Sequence, residues 1–200
     1  MNLYLVRHGE TQANYDGVYC GLSDISLTQN GRWQSQHVAW QLSEVPFDRI
    51  LVSALRRTRE TATILRPDQQ PESSPEWNEM AFGEWELRHH HDLRRDDPER
   101  YRAWCDDWQH AVPPGGDSFQ DFSRRVMDAT KRLIDDPQTG NILLVAHQGV
   151  LSILLATLLG LPPDAMWHFR FRQNAFSQVT LTDGFCVVTC LNDSGRKTAS

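Results

Sequence analysis

Two segments of the 200-residue chain run almost wholly apolar and stop at a histidine with glycine one or two positions beyond. They are Tyr4-Leu5-Val6-Arg7-His8-Gly9 and Asn141-Ile142-Leu143-Leu144-Val145-Ala146-His147-Gln148-Gly149. A short, continuous apolar run marks a strand covered on both faces, the setting of a parallel sheet wrapped by helices. In such sheets ligands bind outside the carboxyl ends of the strands, where adjacent crossovers leave a crevice. If both strands are central and parallel, His8 and His147 face each other there. A cation, an imidazole and a permissive turn residue at a strand end make the layout of an anion site. Either run alone would also fit ordinary loop punctuation, and it is the pairing that favours a site.

The remainder alternates helix and strand. A loop rich in Gly, Asn, Asp and Tyr is expected at 14–26, after which Thr28 caps a helix reaching about Leu42. Residues 48–53 read as a strand and 55–66 as a helix stopped by Pro67, with 67–75 a loop or edge strand. From 77 to 108 the composition shifts to aromatics, histidines and charges. That stretch is too short for a core of its own, which predicts a single domain over 1–193 with a helical cap-like insertion at about 77–116 and a flexible tail at 194–200. Pro113-Pro114-Gly115-Gly116 breaks the chain, and Asp117 with Gln120 predicts a capping-box start. Phe119, Phe122, Val126, Ala129 and Leu133 then recur at helical steps. A helix over 150–159 and two strands, 176–182 and 185–191, complete the pattern, the strands flanking the hairpin dipeptide Asp183-Gly184.

A net charge of −6 argues against a nucleic-acid or acidic-membrane footprint, so an anionic substrate needs locally clustered arginine. No basic, apolar leader precedes Arg7, and the longest apolar stretch, 150–161, is too short to span a bilayer. Cys20, Cys105, Cys186 and Cys190 have neither zinc spacing nor a disulfide framework, which fits reduced thiols and a cytoplasmic location.

Phosphoryl transfer through histidine needs a nucleophile, an anion clamp and a proton donor for the leaving alcohol. His8 would attack as the neutral imidazole, its other ring nitrogen donating to a fixed acceptor such as a carbonyl of the Gly9 turn. Arg7 leaves the strand on the opposite face, so the turn must bring the two together. A second clamp lies in Ser53-Ala54-Leu55-Arg56-Arg57-Thr58-Arg59, although surface helices also carry arginines routinely. For the acid, Glu79, Glu84 and Glu86 sit among apolar neighbours. Spacing does not choose between them, and burial or a nearby phosphate must raise the chosen one above about 4.3. His89-His90-His91 suggests metal, but adjacent side chains are expected to diverge and no partner has ligand spacing, so a solvated face is the expectation. Trp104, Trp108 and Trp167 fit core packing or an aromatic pocket for a ring-bearing substrate.

With these residues assembled, the chain resembles the histidine phosphatase, or phosphoglycerate mutase-like, superfamily over nearly its whole length. The resemblance rests on Arg7-His8-Gly9-Glu10-Thr11 with Asn14, Leu27-Thr28 with Gly31, Ser53 with Arg57 and Thr61-Ala62, Glu79 with Gly83 and Trp85-Glu86, and His147 with Gly149. It implies a three-layer α/β sandwich with a mostly parallel sheet, a phosphorylated His8, and Glu79 as general acid and then base. Arg7, Arg57 and His147 would complete the phosphate pocket, with Asn14 and the Gln148 backbone as further contacts and no metal or organic cofactor. Thr58 stands where the family usually has alanine, Leu87 where glycine often follows Trp-Glu, and Ala146 and Gln148 where serine and glycine flank the second histidine. Residues 77–93, 101–119 and 165–170 are similar to those of the cobalamin-pathway α-ribazole phosphatases. That branch implies a small phosphorylated metabolite as partner, α-ribazole 5′-phosphate or the nearly complete cobamide. A phosphoglycerate mutase, a broad sugar-phosphate phosphatase and an inactive phosphoprotein-binding module are the alternatives.

Overall fold

The computed structural model describes residues 1–136 and 140–195. Six strands form one sheet: β1 (Asn2–Arg7), β2 (Arg49–Val52), β3 (Glu72–Ser73), β4 (Asn141–Ala146), β5 (Phe176–Thr182) and β6 (Phe185–Asp193). Their spatial order is β3-β2-β4-β1-β5-β6. The β1/β4, β4/β2 and β2/β3 pairings are parallel, while β5 and β6 add an antiparallel hairpin at one edge. Asp183 and Gly184 both take positive φ, 48° and 80°, as a two-residue hairpin turn requires.

Strand alternation sorts the two apolar runs onto two cores. Leu3, Leu5, Ile142, Leu144 and Ala146 face Phe122, Val126, Ala129, Leu151 and Leu155, carried by two helices on one side. Tyr4, Val6, Leu143 and Val145 face Val38, Leu42, Ala62 and Leu65 on the other. The helices are α1 (Gln12–Asp16), α2 (Gln29–Gln41), α3 (Arg56–Leu65), α4 (His90–Asp96), α5 (Pro98–Asp106), α6 (Phe119–Ile134) and α7 (Gln148–Leu158). α2 and α3 cover one face of the sheet and α6 and α7 the other, giving the three layers expected. A third cluster, Trp85, Leu93 and Tyr101, is packed by Tyr19, Phe82 and Trp104.

Several boundaries differ from the sequence reading. The five-residue α1 interrupts the expected loop, closed by a capping box between Thr11 and Asn14. α6 is capped by Ser118, whose hydroxyl accepts the Asp121 N–H at 3.0 Å, not by Asp117. Asp117 is engaged elsewhere: its carboxylate accepts the Ala81 N–H at 3.0 Å and its own N–H donates to the Ala81 carbonyl. α7 begins at Gln148, two residues earlier than expected, with His147 as its N-cap. Of the expected tail, Ser194 pairs its carbonyl with His37 Nε2 at 2.9 Å, and 196–200 lie outside the described residues.

Candidate active site

The parallel register sets Arg7 opposite Ala146, so His8 and His147 leave neighbouring strands at the same level. Their rings lie 5.1 Å apart, centroid to centroid, and both residues are buried. His8 Nδ1 lies 2.8 Å from the Gly9 carbonyl, which can only accept, so Nδ1 carries the hydrogen and Nε2 is bare. Burial, reinforced by the Arg57 and Arg7 charges, holds His8 well below the ordinary imidazole pKa, against the weaker pull of that carbonyl. The turn that sets this geometry needs glycine: a Cβ on Gly9 would sit 2.3 Å from the Gly31 carbonyl oxygen. Its N–H is held by Thr61 Oγ1 at 3.1 Å.

Arg7 and Arg57 converge on the same place. Arg7 Nη1 donates to the Phe171 carbonyl at 3.2 Å, while its buried Nε has no hydrogen-bond partner among the described residues. Arg57, 1% exposed, donates through Nη1 to the Ser23 carbonyl at 2.8 Å, through Nη2 to the Gly21 carbonyl at 2.7 Å, and through Nε to His147 Nδ1 at 3.3 Å. Burial lowers both guanidinium pKa values, yet arginine stays charged. Burial likewise pushes His147 well below its ordinary value, with Arg57, His8, Arg7 and Arg125 acting in the same direction. The result is a buried, cationic recess walled by two neutral imidazoles.

Of the three carboxylates, Glu79 is the one brought to this recess. Its oxygens accept the Met80 N–H at 3.1 Å and the Gly149 N–H at 2.9 Å. Burial raises its pKa, against those two N–H groups and the Arg57 and Arg7 charges. Arg125 of α6 holds the segment from beneath, donating to the carbonyls of Pro75, Glu76, Asn78 and Glu79. Glu84 is exposed and reaches Arg100. Glu86 instead gathers the loop that holds Arg57: it accepts the N–H groups of Gly21, Leu22, Ser23 and Phe82 and, at 2.6 Å, the Ser23 hydroxyl. Burial works to raise the Glu86 pKa, but the Ser23 hydroxyl and the N–H groups of Phe82, Leu22 and Ser23 outweigh it and hold the carboxyl below its usual range.

Asn14 lies at the N3 position of α1, its Oδ1 taken by the Thr11 N–H, the Thr11 hydroxyl and Gln173 Nε2, which leaves Nδ2 as its donor. The Gln148 side chain is turned to the 169–171 segment, donating to the Phe169 carbonyl and accepting the Phe171 N–H, both at 2.9 Å. It thus braces the carbonyl that anchors Arg7. Sequence reasoning missed this bracing and Arg125 altogether; it named Thr61 and Glu86 as motif residues without giving either the role seen here.

Beside Glu79 opens a cavity of about 200 Å³, walled by Phe82, Trp104, Trp108, Phe119 and Trp167 and floored by Met80 and Met166. Trp108 meets Phe119 and Trp167 edge-on, at 4.6 and 5.5 Å between ring centroids. Trp104 and Trp108 therefore pack on the core and line a pocket at once, while Trp167 is 68% exposed at its rim. The histidine tract departs from expectation. The rings of His89, His90 and His91 do not diverge but lie 4.1 to 4.8 Å apart, tilted by 30 to 37°. His89 is the extended N-cap of α4, and its ring accepts the His91 N–H at 3.2 Å, folding it back over its neighbours. All four cysteines are free thiols, and among the described residues no helix is long and apolar enough to cross a membrane.

Comparison with known proteins adds an independent line. The chain is 48% identical over 194 residues, 96% of each chain, to the adenosylcobalamin/alpha-ribazole phosphatase of Escherichia coli K12. It is 46% identical, over the same shares, to the Salmonella typhimurium protein of that name. The crystal structure of the alpha-ribazole phosphatase from Shigella flexneri superposes with a TM-score of 0.93 at 47% identity, covering 97% of both chains. The profile of the histidine phosphatase superfamily (branch 1) matches residues 3–194, and the chain belongs to that superfamily.

Proposed function

We propose that the chain is a phosphomonoesterase that works through phospho-His8 and removes the 5′-phosphate of α-ribazole 5′-phosphate or of adenosylcobalamin 5′-phosphate. The observation that carries this reading is the double setting of Glu79, which borders the cationic recess on one side and the aromatic cavity on the other. Phosphate held by Arg7, Arg57 and His147, with Asn14 Nδ2 and the Gln148 N–H as further donors, presents phosphorus to His8 Nε2. The Nε2–P bond forms as the ester P–O bond breaks, and Glu79 gives its proton to the leaving alkoxide. Glu79, now a carboxylate, takes a proton from a water that attacks phospho-His8, which releases inorganic phosphate and restores the free imidazole.

The leaving alcohol must lie against Glu79, and the apolar, aromatic wall there suits a benzimidazole nucleoside better than the carboxylate of 3-phosphoglycerate. On this reading 1–193 is one domain, and 77–116 is a cap whose aromatic residues complete the substrate pocket. Steady-state kinetics with α-ribazole 5′-phosphate and 3-phosphoglycerate test the proposal, beside a His8→Ala control. A preference for the ribazole ester of about a hundredfold or more in kcat/KM is expected. Preference for 3-phosphoglycerate overturns the substrate, full activity of His8→Ala overturns the mechanism, and failure to hydrolyse any phosphomonoester favours a binding module.

A further inference from the structure

The hydrogens around His147 can be placed one after another, and the chain of assignments ends on a residue outside the phosphate cluster. Arg57 Nε always bears hydrogen, so it donates to His147 Nδ1 at 3.3 Å. The uncharged ring then carries its single hydrogen on Nε2, which donates to Ser53 Oγ at 2.9 Å. Ser53 Oγ also accepts the Leu55 N–H at 3.2 Å, so both of its lone pairs are used. Its own hydrogen goes to Thr58 Oγ1 at 2.7 Å, and the Thr58 hydrogen goes to the Leu55 carbonyl at 2.8 Å. Ser53 and Thr58 are 0% exposed and His147 is 1% exposed, which leaves no bulk water to take over a broken link.

We propose that Thr58 is a positioning residue for the reaction: by accepting the Ser53 hydroxyl hydrogen it keeps Ser53 an acceptor, and so holds His147 as the Nε2–H tautomer with Nδ1 toward the phosphate pocket. The inference rests on the reading in which His147 contacts the phosphate. When a phosphate monoester binds as its monoanion, the Arg57 Nε–H turns from His147 Nδ1 to a phosphate oxygen, and His147 takes the ester's proton on the freed Nδ1 and donates it back as a hydrogen bond, while Nε2–H stays on Ser53. The titratable and charged groups facing the ring from other elements are Arg57 of α3, the His8 imidazole and Arg7 at the end of β1, and Arg125 of α6. All of these oppose a second proton, and Glu79, held on the Gly149 N–H, is the acidic group nearby. An acceptor at Nε2 is therefore the main support that His147 receives from its own surroundings. Without the Thr58 oxygen the Ser53 hydrogen turns to His147 Nε2. That drives the ring hydrogen to Nδ1, where it meets the Arg57 Nε–H head-on.

The test is ¹⁵N-detected imidazole NMR of His147 in the free protein, assigned with His147→Gln, together with the pH profile of kcat/KM on p-nitrophenyl phosphate. Thr58→Val is the informative variant, because valine fills the space that a substitute water would need, and Thr58→Ser is its rescue. The wild type and Thr58→Ser should show the Nε2–H tautomer, and Thr58→Val should show hydrogen on Nδ1. Thr58→Val should lose about tenfold in kcat/KM, the worth of one buried hydrogen bond, and its alkaline limb should move to lower pH because the imidazolium is less well supported. Thr58→Ser should stay within about twofold of wild type. A wild-type ring with hydrogen on Nδ1 overturns the inference without any variant. So does a folded Thr58→Val protein that keeps both the tautomer and the pH profile. A wild type that hydrolyses nothing would sink the proposed function instead, while the tautomer would still report on Thr58.

Discussion

Replacing Glu86 with alanine should damage the site from a distance. The carboxylate holds four backbone N–H groups, at 3.0 to 3.1 Å, and the Ser23 hydroxyl. Two of the residues it fixes, Gly21 and Ser23, supply the carbonyls that anchor Arg57. Hydrogen bonds to a charged group contribute about 1.5 to 3 kcal/mol each, but those in one network are not additive, and the exposed Leu22 and its neighbours regain water. A loss of about 3 kcal/mol in unfolding free energy is expected, which leaves the chain folded. Freeing Arg57 from its two carbonyls should lower kcat/KM about a hundredfold, the scale for misplacing a group that binds a transition-state charge. Glu86→Gln should rescue little, because its NH₂ would face N–H donors. The folded carboxyl titrates below its unfolded value, so its stabilisation is complete above the unfolded pKa of about 4.3 and fades as pH falls through the folded one. Urea unfolding at pH 7 and pH 3.5, beside steady-state kinetics, measures all of this. If Glu86→Ala unfolds within about 0.5 kcal/mol of wild type and keeps kcat/KM within about threefold, the proposed coupling of loop to arginine is wrong.

The raised Glu79 pKa predicts activity that falls with rising pH once Glu79 loses its proton, and the lowered His8 pKa predicts activity retained below the ordinary imidazole value. Glu79→Gln should still release one equivalent of p-nitrophenolate, a leaving group that needs no acid, and then stall as phosphoenzyme; steady turnover at the wild-type rate would contradict its role as base. Leu87→Gly should stabilise the protein by about 0.5 to 1 kcal/mol in chemical denaturation, because Leu87 sits at φ 57° with its side chain 49% exposed. Trp108→Ala should open the cavity to water, ease the desolvation of Glu79 and draw the alkaline limb of kcat/KM to lower pH. It should also raise KM for a ring-bearing ester more than for glycerol 3-phosphate, and equal effects on the two substrates would argue against the cavity as a ring site.

The sheet was legible because its signals are local. Continuous apolar runs mark β1 and β4, the Asp183-Gly184 dipeptide marks the hairpin, and the helical recurrence from Phe119 to Leu133 marks the buried face of α6. What escaped was settled by distant partners or by short elements. α1 has five residues, too few for an apolar period, and the α6 cap moved one position because Asp117 is drawn to the Ala81 backbone. The histidine tract broke the rule that neighbours diverge, since that rule assumes one regular conformation and His89 is extended where His90 begins a helix.

The site divides along the same line. Three arginines stand within four residues of α3, and only their placement on the helix selects Arg57, which is 1% exposed while Arg56 and Arg59 face solvent. Spacing left Glu79, Glu84 and Glu86 level and only the motif resemblance named Glu79; in the fold Arg125, 46 residues away, clamps its backbone, and Gly149, 70 residues away, takes the carboxylate. A Cβ at Gly149 would stand 2.5 Å from Glu79 Oε1, so the glycine that ends the second apolar run serves the seating of Glu79 as much as the turn. The run that exposes His147 at the end of β4 therefore also provides the seat for Glu79. The two strand ends do more than face each other: one presents the bare imidazole nitrogen, and the other fixes the carboxyl to which the proposed mechanism gives the proton exchange beside it.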